Sequence, residues 1–579
     1  MNNETEKFIV ETQKKETVWN NCEGAVYKSR DLKQKQWEEL DNIFGIEEMT
    51  SMEKKSFVQQ TKGDGDAMKI LEDALTLCKF GKFHILLLAA SLCSIFAAML
   101  VTTTSSYILP VAECDLDMSI MYKGLLIAIP FLGQIGASLF TGFLVDTFGR
   151  KIFLIGGNVG IFIGTLLEGS SQTYWMLLFI KLIEGISLSL SFSAISTMLS
   201  EFTPISSRDR VLLSYAGFTS TSLIVSALLA WVALPLPIHV VVWEGYFVLH
   251  SWNVYLYICS IWSLMAIVMY SYLPESPKFL LSHNREEEAL EVLKTIYSTN
   301  TGNDRDSFPI LSFNTSTGTL KPTDEISLKK QLVNALIEVK ELFRRPLIYR
   351  LLLFSFLTFA GLIVFTSLRL WYPQISTIIE NYTKNHGETA QFCVMIDDYM
   401  DGLKEMHLKV VPANMTEASI CVPKLSGSQT YLNGIILGFV SLVFVVISAF
   451  IVEYIGQKIL MFVILILCAL CSASLYWTNQ SIQIAILMSG TCGLLQTSLS
   501  LQQNMFVRVF PTTSRALAVS IIIMVGRIGS LSGNIIFPIL LSMGCMAPFI
   551  TTSFIAVGLA GLVYFLPDVN KNKATGGDK

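Results

Sequence analysis

Charge is what this sequence has least of. Only 15% of its 579 residues are Asp, Glu, Lys or Arg, against 52% that are apolar. A soluble chain of this length carries about a quarter charged residues, so the composition excludes a soluble globular protein and indicates an integral membrane protein. The charges nearly cancel, at a net −4, and no basic arm stands out, so nucleic acid is not an expected partner. Phosphate-binding loops are missing too. Gly81-Lys82 is followed by Phe83 rather than Ser or Thr, with no correctly spaced glycine upstream. That sets ATP-driven pumping aside, and no cofactor is expected. No nucleophile–base pair and no metal-ligating cluster occurs, so neither an enzyme nor a metal site is expected. The 11 cysteines fall mostly inside apolar runs and do not form a disulfide framework. No apolar core precedes Leu86, which leads us to expect an N-terminus in the cytoplasm with no cleaved signal peptide.

What the chain does have is apolar runs. A helix needs about 20 apolar residues to cross the hydrocarbon. Six such runs fit before the middle of the chain, and six more follow after about residue 349. Arg150, Lys151, Arg208, Arg210, Lys458, Arg508 and Arg515 fall in connections on the same side as the N-terminal tail. The opposite short connections, Glu168–Tyr174, Leu236–His250 and Asn479–Ser481, have no Lys or Arg. The asymmetry predicts that both termini are cytoplasmic. The expected organisation is an all-α membrane protein of twelve transmembrane helices in two six-helix bundles. Residues 1–70 are a cytoplasmic tail and 71–273 the first bundle. Residues 274–348 are a cytoplasmic central loop with an amphipathic helix over Asn284–Thr295. Residues 349–566 are the second bundle, including an external loop at 372–429, and 567–579 a short cytoplasmic tail. The external loop carries sequons at Asn381 and Asn414 and two cysteines, Cys393 and Cys421. With an oxidising compartment on that side, we expect glycosylation of both asparagines and a Cys393–Cys421 disulfide.

The two halves repeat each other. GFLVDTFGRK, Gly142 to Lys151, aligns without a gap with AFIVEYIGQK, Ala449 to Lys458. The same offset carries Pro204, Ser207 and Arg208 onto Pro511, Ser514 and Arg515. A parallel repeat of hydrophobic spans is the mark of a two-halved transporter. The motif G-x-L-x-D-x-x-G-R-K resembles the signature of the major facilitator superfamily, with Thr147 where that family often has a further Arg. EDAL…FGKF (Glu72–Phe83), ILPVAE (Ile108–Glu113), SEF…R (Ser200–Arg208), HSW (His250–Trp252), LPESPKFLL (Leu273–Leu281), LRLWYPQI (Leu368–Ile375) and FPT..RA (Phe510–Ala516) are similar to the synaptic vesicle glycoprotein 2 and related-protein branch. The resemblance implies an alternating-access fold in a vesicle or plasma membrane, akin to organic ion and sugar carriers. It also implies two acids in the middle of the first span. Here Ala98 and Val101 stand at those positions, so proton coupling through that helix is not expected.

The candidate gate is the set Asp146, Gly149, Arg150, Lys151, Glu201 and Arg208, with Glu453, Lys458 and Arg515 in the second half. Recurrence of acid, glycine and base at matched positions favours pairing that makes and breaks as an inner gate moves; fixing topology is the alternative. Three charges fall inside spans. Lys181 and Glu184 are three apart on the fourth, so they share a helix face and can pair, either stiffening the bundle or touching substrate. Arg527, near the midplane of the eleventh span, has no acid in its own helix. Either it reads an anionic solute, or it pairs with an acid such as Glu184. The expected partners are a small organic solute and the lipid bilayer, and the protein is expected to be a monomer. A non-transporting binding or trafficking role is the alternative.

Overall fold

The computed structural model describes residues 69–244, 246–310, 313, 345, 347–408, 426–510 and 512–566. Most of the N-terminal tail, much of the central link, Asn414, Cys421 and the C-terminal tail lie outside the described residues. A short helix over 69–77 (α1) leads into the first half: α2 Lys82–Ile108, α3 Ile120–Phe148, α4 Arg150–Gly169, α5 Tyr174–Phe202, α6 Ile205–Ala233 and α7 Ser251–Tyr272. Two small helices follow, α8 Pro277–Ser282 and α9 Glu286–Thr301. The second half is α10 Leu347–His386, α12 Ser428–Ile455, α13 Gln457–Ser474, α14 Ser481–Val509, α15 Thr512–Met543 and α16 Ala547–Val563, with α11 Phe392–Leu408 between the first two. Ten of these helices are long and apolar enough to span a membrane, and α6 and α16 add shorter apolar segments, Gly217–Ala233 and Ala547–Val563. In hydrocarbon each backbone amide must be bonded within its own segment, which leaves helices as the form these runs can take. Phe140, Phe179, Phe450, Leu470 and Phe554 stand exposed on the outside of the bundle, as lipid-facing residues do.

Two turns show why the repeat keeps its glycine. Gly149 has φ 101 and ψ 159, and Gly456 has φ 86 and ψ 154. Only glycine adopts this conformation readily, so the same sharp corner joins α3 to α4 and α12 to α13. We call this the basic end, and the other the hairpin end. At the hairpin end an antiparallel pair, β1 His239–Trp243 and β2 Phe247–His250, projects between α6 and α7. The two halves pack together there. Tyr107 on α2 stacks with Tyr431 on α12 at 6.3 Å, and Gly124 on α3 lies against Trp371 and Pro538. Nearer mid-membrane, Gln496 Nε2 on α14 donates to Ser220 Oγ on α6 at 3.1 Å.

Three local expectations change. The amphipathic helix runs Glu286–Thr301, with Ala289, Leu293 and Ile296 buried, because the three glutamates at its start suit a helix N-terminus. The seventh span continues well past Tyr372 to His386. Asn381 therefore sits on a helix rather than in a loop, with its Nδ2 buried. Cys393 bonds Cys545, not Cys421, with Cα atoms 5.3 Å apart. The start of α11 is docked on the second half: Phe392 N donates to Thr478 O at 3.0 Å and its ring meets Phe549 edge-on at 5.1 Å. That places Cys393 over the α15–α16 turn, a connection on the same side of the membrane. Cys114 is also disulfide-bonded.

Candidate functional site: charges in and below a two-halved bundle

At the basic end the described candidate gate residues make contacts within their own halves. Glu275, in the turn after α7, accepts from Arg150 N at 3.1 Å and from Lys151 N at 3.1 and 3.2 Å, capping α4 with a carboxylate. The Arg150 guanidinium pairs with Glu201 at 3.1 Å and lies 5.1 Å from the Phe279 ring. Arg208 pairs with Glu72 of α1 at 2.7 Å. Lys151 Nζ donates to Ser271 O at 3.1 Å, and its repeat mate Lys458 donates to Leu566 O at 2.9 Å. Each lysine thus pins the end of the sixth helix of its own half. Asp146, Glu453 and Arg515 occupy the ends of α3, α12 and α15, and their side chains are outside the described set. Glu275 was missed in the sequence because it falls in a loop, although it lies in the ESP turn that follows the sixth span.

Inside the first half, Lys181 and Glu184 do come together, at 3.1 Å. They are joined by Glu168, which the sequence had placed in an outer connection. Glu168 Oε2 is 2.8 Å from Lys181 Nζ, and all three side chains are fully buried. This contact is one of charge rather than an aligned hydrogen bond. Lys181 also donates to Val101 O at 2.9 Å and Thr104 Oγ1 at 3.1 Å on α2. The ammonium therefore reaches the backbone of Val101, one of the two positions where the resemblance implies an acid. Thr165 Oγ1 donates to Glu184 Oε1 at 2.7 Å. Gly164 makes the fit possible, since a Cβ there would sit 2.5 Å from Glu184 Cγ. The signal for Glu168 was a single acid at the start of an outer connection that has no Lys or Arg.

Where the halves meet, Arg527 on α15 lies 5.9 Å from the Phe192 ring on α5, a cation–π contact across the two halves. Tyr215 on α6 is within Coulombic range of it. Glu184 is engaged with Lys181 and Thr165, so the alternative pairing of Arg527 with Glu184 does not occur. A second arginine, Arg369 on α10, comes within Coulombic range of Arg527 and lies 5.3 Å from the Phe365 ring. Its Nε is buried without a hydrogen-bond partner. Among the described residues neither arginine has a carboxylate partner, and both are half-buried. Arg369, a lone base near the expected end of the seventh span, is a candidate that the sequence alone did not single out. His250 is a packed structural histidine, stacked with His239 and 3.6 Å from Asp115.

A family model described as sugar (and other) transporter matches residues 94–369. The chain is 29% identical over 232 residues to synaptic vesicle glycoprotein 2B of Rattus norvegicus, covering 40% of this chain and 34% of that protein. It is 28% identical over 246 residues to synaptic vesicle glycoprotein 2A of the same species, covering 42% of this chain and 33% of that protein. The matches thus span about a third of those relatives' length. Among solved structures it is similar to the xylose transporter XylE from E. coli in a partially occluded inward-open conformation. The TM-score is 0.57 and the identity 14%, over 84% of this chain and 100% of that one. A D-xylose-proton symporter gives a TM-score of 0.55 at 14% identity, over 84% and 97%. At that identity the likeness shows the fold alone.

Proposed function

This chain belongs to the major facilitator superfamily, and from that premise we propose that it moves a small organic anion across a vesicle or plasma membrane by alternating access. The observation that carries the reading is Arg527 at the junction of the halves, against Phe192 of the first half and without a carboxylate partner among the described residues, with a second arginine, Arg369, near enough on α10 to feel its charge. An arginine at the bilayer centre costs at least about 2.5 kcal/mol, and two within Coulombic range of each other raise that cost. Such a pair is retained where a ligand supplies the negative charge. Guanidinium groups suit a carboxylate because their planar fork can form two parallel hydrogen bonds. Arg527 and its cross-half contact to Phe192 would then change as the halves rock about the site, while the basic-end contacts hold each half rigid. The gate reading of Asp146, Glu453 and Arg515 belongs to this proposal. So does an orientation with both termini in the cytoplasm, supported by the charge asymmetry and by disulfides at the hairpin end.

The test is uptake into proteoliposomes of the purified full-length chain, with a panel of organic anions, zwitterions, cations and uncharged sugars. The reading expects anions to enter, Arg527→Lys to retain part of that uptake, and Arg527→Ala to lose it while remaining folded. Uptake of cations by the wild type would overturn it. A second reading, a binding or trafficking protein without flux, is favoured by the apolar Ala98 and Val101 in α2. It predicts saturable binding of a panel member with no uptake.

A further inference from the structure

The buried cluster of the first half does not balance by count. Two carboxylates, Glu168 and Glu184, meet one ammonium, Lys181, and no second positive charge stands beside them among the described residues. From α2 come the Val101 carbonyl and the Thr104 hydroxyl. From α4, besides Glu168 itself, comes Thr165. From α7 comes the thiol of Cys259, behind which lies the phenol of Tyr255. Among the described residues no other charged side chain acts on Glu168 or Lys181. With both carboxylates ionised, the cluster would carry a net negative charge in a low-dielectric interior. Glu168 Oε1 would then be a buried anionic oxygen with no hydrogen-bond partner, which is among the most costly arrangements a protein can hold. Two carboxylates sharing one site do not both ionise readily.

We propose that Glu168 and Glu184 hold one exchangeable proton between them around Lys181, making this cluster a proton-binding site that does not use an acid on the first span. In the exchange, a hydronium ion gives its proton to a carboxylate oxygen and leaves as water; no other bond changes. Placed on Glu168, the proton removes the net charge and converts an orphan acceptor into a donor. A route to water is short, because Glu168 is the penultimate residue of α4 and half-buried Ser170 follows it at the hairpin end. Lys181 ties the site to α2 through Val101 and Thr104, and α2 carries Tyr107 onto Tyr431 of the other half. Loading and unloading the proton therefore acts on a helix that bridges the two halves. The site rests on its own geometry and stands whether or not the solute is an anion.

Infrared difference spectra of the full-length protein in nanodiscs, stepped from mildly acidic to alkaline buffer, test the site without any substrate. The expected result is a carboxylic-acid C=O band that persists at neutral pH, disappears on alkalinisation, and is lost in both Glu168→Gln and Glu184→Gln. Each glutamine is an uncharged isostere of the protonated acid and leaves a neutral pair with Lys181, so both variants are expected to fold; should one fail to accumulate, the other gives the reading. Absence of the band at neutral pH, or its survival unchanged in a folded variant of either glutamate, overturns the proposal. Neither result bears on the uptake panel, so the two readings fail separately.

Discussion

The two halves of the molecule are built on one repeat and hold charge in opposite ways. In the first half each buried charge has a partner nearby: Lys181 lies between Glu168 and Glu184, and Arg150 meets Glu201. In the second half, Gln457 stands where the repeat has Arg150 and Arg508 where it has Glu201, and the half-buried arginines Arg369 and Arg527 have no carboxylate partner among the described residues. Conserved backbone thus carries divergent chemistry. The glycine corners and the lysine pins at Lys151 and Lys458 are shared because both halves need the same turn geometry. The interior charges differ because one half is organised about its own acids and the other faces the junction where a solute would lie.

The sharpest way to break this comparison is to remove one cation from each half. Lys181→Met leaves the buried Glu168–Glu184 pair without its cation and is expected to cost about 3–5 kcal/mol, read as a large drop in melting temperature of the detergent-purified protein. Adding Glu168→Gln and Glu184→Gln to it should recover most of the loss. A small loss on Lys181→Met alone would mean that the cluster is not a mutually dependent unit.

A smaller effect compares the two corners. Gly149→Ala and Gly456→Ala each force a non-glycine residue into a conformation costing about 1–3 kcal/mol. At Gly149 a Cβ also meets the Glu275 carboxylate, so Gly149→Ala should cost more than this backbone strain alone; a loss within that range would show that Glu275 moves aside freely. Glu275→Gln weakens the cap of α4 and is expected to cost about 1 kcal/mol; an unchanged melting temperature would show that the backbone turn holds the corner unaided. The smallest effect is Arg527→Met. Because this arginine has no carboxylate to strand, its loss should leave stability unchanged or slightly raised, opposite in sign to Lys181→Met. A loss like that of Lys181→Met would point to a structural partner and undo the contrast.

The elements most legible in the sequence were those set by local chemistry. The apolar runs dictate helices, and the repeat glycines dictate corners. Lys181 and Glu184, three apart, dictate a shared face. What escaped depends on how helices cross. Glu168 reaches Lys181 only because α4 and α5 pack closely enough at Gly164 for Glu184 to fit beneath. Arg369 approaches Arg527 only because α10 and α15 are close neighbours, with Gly529 and Gly533 set against the Phe359 and Ile363 backbone. The disulfide was misread for the same reason. Cys393 and Cys545 are 152 residues apart in sequence, and they meet because α11 folds back onto the second half instead of crossing the loop.

The measurement that bears most directly on this division is anion uptake by Arg527→Lys and Arg527→Ala, set beside wild type in proteoliposomes of matched protein content. Losing a charge-assisted hydrogen bond of about 1.5–3 kcal/mol corresponds to roughly a 10- to 100-fold fall in anion uptake for Arg527→Ala, with Arg527→Lys between the two. Wild-type uptake of cations in preference to anions, or full anion uptake by a folded Arg527→Ala, would contradict the account.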